Sequence, residues 1–216
     1  MIDPIIVTGV PRSRTSMTCG VLHTLGAFGG DMRGPTRYNQ LGMFENVKVV
    51  EMVKDYLRSM NCDPKAQHPL PSMDELKPWT NARSQIQRAM IKDGHNGGPW
   101  FFKTVKGCHF WPIFHEAFPN ALWVIVRRDR DANADSLLRT GFMNAFQTKR
   151  EWLAYIDRHE ARFEEIADTC HHVEVATDAV VAGNFMDLKE VAAQAGLKWN
   201  EQAVTEFVDP KLTKVA

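Results

Sequence analysis

Short runs of β-branched and aromatic residues alternate along this chain with longer stretches in which apolar residues return every three or four positions. The runs are 5–8 (Ile5-Ile6-Val7-Thr8), Trp100–Thr104, Ala121–Val126 and Val173–Ala176. Each has the length and composition of a buried strand. The periodic stretches predict helices over Met17–Leu25, from about Glu45 onward, Thr80–Lys92, Phe110–Ala117, Asp131–Thr140, Lys149–Ala167, Asp187–Ala195 and Glu201–Phe207. In the second of these, Val49, Val50, Val53, Leu57 and Met60 share one face. In Lys149–Ala167 the shared face carries Trp152, Tyr155, Ile156, His159, Phe163 and Ile166, which makes His159 a core histidine rather than a ligand. Gly196 reads as the C-terminal cap of its helix. Asn61–Pro78 holds four prolines and reads as a loop lying over a site. Strands alternating with helices predict an α/β fold: a three-layer domain with a parallel sheet of four or five strands and helices on both faces. In such sheets ligands bind beyond the carboxyl ends of the strands.

Composition narrows the function classes. The 216 residues suffice for one sizeable core, so residues 1–216 are expected to form a single domain with a loose tail after about residue 210. Lys+Arg and Asp+Glu both number 26, which gives no sign of a nucleic-acid partner. No apolar run approaches the roughly 18–20 residues of a membrane span. The opening Met1-Ile2-Asp3-Pro4 has no secretory pattern, and the expectation is a cytoplasmic protein. Cys19, Cys62, Cys108 and Cys170 are scattered without a CxxC pair, as reduced structural thiols would be, and argue against a zinc site.

Three segments carry candidate chemistry. The first is Ile5–Ser16, IIVTGVPRSRTS. A strand, a tight hydroxyl-rich loop and a helix start would present backbone N–H groups and a helix dipole to a phosphate. An ordinary strand–helix turn is the alternative. It is not a nucleotide-triphosphate P-loop, because the GxxxxGK[ST] pattern counted from Gly9 puts Arg14 at the second glycine and Thr15 at the lysine. The second segment is VIVRRDRDANADS, in which Arg128 ends a strand and Ser136 lies eight residues on, within a helix. Guanidinium and hydroxyl can converge there on a phosphate, or the run can be a charged loop with a solvated helix face. The third is Lys103 at the end of the Trp100–Thr104 run, either aimed into a site or solvated.

Together these segments resemble the sulfotransferases that use 3′-phosphoadenosine 5′-phosphosulfate (PAPS), of the bacterial type. Pro11-Arg12-Ser13-Arg14-Thr15-Ser16 resembles their 5′-phosphosulfate loop, with Arg14 where that loop has glycine. Arg128 and Ser136 match their 3′-phosphate motif in spacing, with Arg130 where a proline is usual. Lys103 matches the lysine of their KTH or KDPR segment, but the histidine is absent and His109 does not fall on its position. Gly42-Met43-Phe44-Glu45, with Asn39, resembles an NxxGxFE segment and makes Glu45 the candidate base. Val175–Asp178 and the ending Phe207–Pro210 add weaker likeness, and no site is assigned to them. The resemblance implies sulfuryl transfer from PAPS to a hydroxyl or amine of a small-molecule or carbohydrate acceptor. The 5′-phosphate would sit on Ser13, Thr15 and Ser16 and the 3′-phosphate on Arg128 and Ser136. Arg12 and Lys103 would steady the charge growing on the bridging oxygen, with no metal. The acceptor would be shaped by the Pro-rich loop and the Thr80–Gly98 region. Two rivals stay open: a P-loop kinase using ATP and magnesium, and a degraded member that binds nucleotide without turnover.

Overall fold

The computed structural model describes residues 1–37 and 39–208; the tail expected to be loose after about residue 210 lies outside the described residues. Four strands, β1 (Ile5–Gly9), β2 (Phe101–Lys103), β3 (Leu122–Arg127) and β4 (His172–Ala176), form one sheet in the order β2-β1-β3-β4. All three pairings are parallel, with Ile5 opposite Phe101 on one side and Leu122 on the other. β1 is therefore central, and the chain leaves it first to one side and then to the other. That change of direction is where a parallel sheet opens a crevice.

The two-residue period of the strands divides the core in two. Ile6, Phe102, Trp123 and Ile125 point to one face, where they meet Val53, Ile86, Phe114, Leu137 and Phe163. Ile5, Val7, Phe101, Val124 and Val126 point to the other, against Leu22, Leu188, Val191 and Val204. The first face is covered by α2 (Val47–Ser59), α3 (Ala82–Lys92), α4 (Trp111–Ala117), α5 (Arg130–Arg139) and α6 (Lys149–Thr169). The second is covered by α1 (Thr15–Thr24), α7 (Thr177–Val181), α8 (Met186–Gln194) and α9 (Glu201–Phe207). Helices thus lie on both faces, and with four strands the sheet matches the α/β expectation.

Side chains at the helix starts explain several boundaries. Asn46 caps α2 by accepting the Val49 amide, and Asp129 caps α5 by accepting that of Ala132. Thr148 and Glu151 cap α6 reciprocally. Elsewhere the boundaries differ from the sequence reading. Trp100 stands outside β2; it is fully buried, and its indole donates to the Ile2 carbonyl at 2.8 Å. The five-residue α7 is too short to show a period in sequence. His159 is a buried core residue as expected: its Nδ1 faces the Tyr155 carbonyl at 3.0 Å and its Nε2 lies 3.1 Å from Nε2 of His109. The four cysteines are free.

Candidate active site at the carboxyl ends of the strands

β1 must end in glycine. A Cβ on Gly9 would lie 2.8 Å from both Ser13 Oγ and the Val126 carbonyl oxygen, so a side chain there would push the loop off the neighbouring strand. The chain then turns sharply, with the Ser13 amide donating to the Val10 carbonyl at 3.0 Å. Arg12 and Arg14 both adopt the left-handed conformation, φ 70° each. Such strain in a non-glycine residue is stored where the surrounding structure enforces it, and it gathers at functional sites. Arg14 thus holds the conformation for which glycine is ordinarily used, and its guanidinium pairs with Asp178.

α1 begins directly after Arg14, and no side chain caps it. The Met17 and Thr18 amides donate to the Arg14 carbonyl at 2.9 and 3.3 Å, and those of Thr15 and Ser16, two residues that line the cleft, precede any helical acceptor. The Ser13 hydroxyl is buried with no hydrogen-bond partner among the described residues.

The Arg128 end of the site comes from β3 and α5. Arg127 turns to the outside, pairing with Glu164 and Glu174 and lying 5.1 Å over the ring of Phe163. Arg128 turns inward, and its guanidinium donates to the Arg12 carbonyl at 2.7 Å. Its Nε is buried without a partner among the described residues. Burial and the positive charges of Arg14, Arg12 and Arg139 pull its pKa down to about 10, against the opposing pull of Asp178. A cation held in such surroundings favours the arrival of an anion. Ser136 is buried, and its hydroxyl accepts from Arg12 Nε at 3.4 Å. The two candidate anion holders, more than a hundred residues apart in the chain, therefore touch through Arg12.

β2 delivers Lys103, which is buried rather than solvated. Its ammonium donates to the Met43 carbonyl at 2.6 Å and to Ser16 Oγ at 3.0 Å, and lies 3.3 Å from Glu45 Oε1. Glu45 stands one residue ahead of the Asn46 cap, just outside the first turn of α2. It is turned there by Phe44, which holds a left-handed φ of 51°. The Phe44 ring packs edge-on to Phe207 at 5.9 Å.

A cleft of about 670 Å³ joins these parts, within the range of small-molecule sites. Pro11, Arg12, Arg14, Thr15, Ser16, Glu45, Lys103 and Arg128 line it, together with Asn39 and Gly42. Ser13 and Ser136 stand behind this wall. The Pro-rich loop contributes Lys65 and Gln67, whereas no residue of Thr80–Gly98 reaches the cleft. That segment packs α3 behind α2 instead, where Ile86 and Met90 join the core with Val53.

Three residues around the cradle escaped the sequence reading. Thr177 Oγ1 lies 3.1 Å from the Ser13 carbonyl oxygen and 2.9 Å from that of Arg127. Asp178 accepts the Asp129 amide at 2.7 Å beside its pair with Arg14. Asn133 donates to the Pro11 carbonyl at 3.3 Å, and its own Oδ1 is buried without a partner among the described residues. The Val175–Asp178 likeness and the position of Asn133 one helical turn ahead of Ser136 were the available signals. The orphaned donors on Ser13 and Arg128 and the clustered cations suit a ligand with phosphates at two ends. Two acids beside the cradle are engaged within the structure: Asp129 caps α5, and Asp178 holds Arg14.

Comparisons with known proteins bear on the family and the fold. A family model described as "Sulfotransferase family" matches residues 4–201. No match was found among curated protein sequences. Solved structures with similar folds include sulfotransferase STF1 from Mycobacterium tuberculosis, 15% identical with a TM-score of 0.57, covering 100% of this chain and 75% of that one. The sulfotransferase domain of the Synechococcus olefin synthase is 13% identical with a TM-score of 0.57, covering 99% of this chain and 86% of that one. Sulfotransferase STF9 from Mycobacterium avium is 12% identical with a TM-score of 0.52, covering 95% and 67% of the two chains. With residues 4–201, nearly the whole chain, matched by the family model, this protein belongs to the sulfotransferase family.

Proposed function

We propose that this protein transfers a sulfuryl group from PAPS to a hydroxyl or amine. The observation that carries the reading is the meeting of Arg128 and Arg12 in one cleft, with buried, unpartnered polar atoms at both phosphate-binding ends. The α1 amides with the hydroxyls of Ser13, Thr15 and Ser16 would hold the 5′-phosphate. Arg128 and Ser136 would hold the 3′-phosphate, with the Arg12 guanidinium beside them. The donor supplies the sulfuryl group, whose bond to the bridging oxygen breaks as the acceptor's oxygen–sulfur or nitrogen–sulfur bond forms.

The chain's residues have three tasks in that reaction. Lys103, fixed by three oxygens, places a positive charge at the mouth of the 5′-phosphate cradle, where charge grows on the bridging oxygen. Arg12 adds a second cation on the side of Ser136. The Glu45 carboxylate lies at the cleft wall and would take the proton that the acceptor loses. The cations do the work for which a kinase uses magnesium.

A thermal-shift titration tests the donor site. Adenosine 3′,5′-bisphosphate at a hundred times its dissociation constant is expected to add about 2.7 kcal/mol of stability. ATP with magnesium is expected to add little. Arg128→Ala is expected to abolish the first shift. A variant that shifts like the wild type overturns the 3′-phosphate assignment. A strong bisphosphate shift without transfer to any acceptor in a broad panel points instead to a binding protein of the same family.

A further inference from the structure

The proposed donor residues leave part of the cleft lining unused: Val50 and Val53 of α2, Phe142 and Met143 after α5, and Lys65 and Lys106. It is a built surface rather than a gap between loops. Gln67 donates to the Phe142 carbonyl at 3.0 Å and accepts the amides of Asn144 and Ala145 at 2.9 and 3.1 Å, which ties the Pro-rich loop to the segment after α5.

The charges in this part are one-sided. Among the described residues lining the whole cleft, Glu45 is the one carboxylate, and Lys103 already pairs with it. Lys54 and Arg33 share Glu51 outside. Lys106 donates to the Pro64 carbonyl at 2.8 Å and makes no ion pair among the described residues. Burial, with Lys54 and Arg33, brings its pKa down to about 8, against the upward pull of Glu45 and, more weakly, of Asp63 outside the cleft lining. A half-buried ammonium with a single carbonyl partner and no ion pair gains when an anion completes it.

We infer that the acceptor is a hydroxylated amphiphile bearing a carboxylate or similar anionic group. This rests on the sulfotransferase reading above. The anionic group is held by Lys106 with Lys65, the apolar body lies on Val50, Val53, Phe142 and Met143, and the hydroxyl is presented to Glu45 beside Lys103.

Acceptor pairs that differ only in that charge test the inference. The probes are 6-hydroxyhexanoate, 10-hydroxydecanoate and 3-(4-hydroxyphenyl)propanoate, each beside its neutral methyl amide. Binding is measured calorimetrically to the full chain saturated with adenosine 3′,5′-bisphosphate. At least one acid is expected to bind tenfold or more tightly than its amide. Lys106→Met is expected to bring that ratio within threefold while the bisphosphate thermal shift is kept, which shows the variant to be folded. Lys65→Ala, on an exposed side chain, is expected to lower the ratio in part. No acid exceeding its amide by threefold, or a full ratio surviving in both variants, overturns the inference. If the bisphosphate does not bind the wild-type protein, the donor reading fails instead, and the acid-to-amide ratio measured without it still decides this one.

Discussion

Lys103 and Glu45 show how much one side-chain pair is asked to do. The ammonium has three oxygens around it and is buried, so it is fixed rather than free to wander. Glu45→Gln keeps the Lys103 bonds to Ser16 and Met43 and should leave the fold and the bisphosphate shift intact. If Glu45 takes the acceptor proton, turnover should fall by about 10²- to 10⁴-fold in kcat. Steady-state rates of that variant within a factor of three of wild type would remove Glu45 from the chemistry. Arg14 makes a related point. It stands where the resembled loop has glycine; the structure shows the left-handed backbone accepted and its charge paired with Asp178, a residue to which the sequence assigned no site.

At the scale of elements, the turn from β1 into α1 decides whether there is an anion cradle. Gly9 has neighbours on both sides, the hydroxyl of its own loop and the backbone of β3, and neither is the flexible end of a long side chain. Gly9→Ala should therefore cost about 1–3 kcal/mol in urea unfolding, as overpacking does. It should also weaken bisphosphate binding, because the loop can relieve the contact only by moving Ser13. A variant as stable as wild type with unchanged affinity would show that the turn tolerates a side chain. The strand–helix alternation made β1, the start of α1, β3 and α5 legible, because each is long enough to show its period. α7 was not legible, since five residues show none, yet it places Thr177 and Asp178 against the cradle.

For the molecule as a whole, equal numbers of acidic and basic residues conceal a strongly cationic cleft, since balance over the chain says nothing about place. The core holds the opposite case, two histidines kept neutral. Burial and the neighbouring His159 hold His109 well below the usual 6.5, and burial lowers His159 to about 4. The unfolded histidines take up protons as pH falls through 6.5 while the folded pair does not. Stability should therefore fall as pH drops through 6.5 and go on falling toward about 4, where His159 takes up its proton in the folded state too, by at most about 1.4 kcal/mol per pH unit for each histidine. Urea unfolding across that range checks it, and His159→Gln should lessen the slope. A wild-type curve that stays flat would contradict the neutral pair.

The sequence alone determined the α/β class and the helices with long apolar faces, and offered the two candidate phosphate motifs, because period, β-branching and short spacing are local properties of the chain. Tertiary structure alone decided that Arg128 meets Arg12, that Lys103 reaches Glu45, and that Lys65 and Lys106 line one cleft with Val50, Val53, Phe142 and Met143 while Thr80–Gly98 lies behind α2. Those meetings join residues tens to more than a hundred positions apart. They are set by strand order and sheet register, which arise only when both faces of the sheet bury their side chains together.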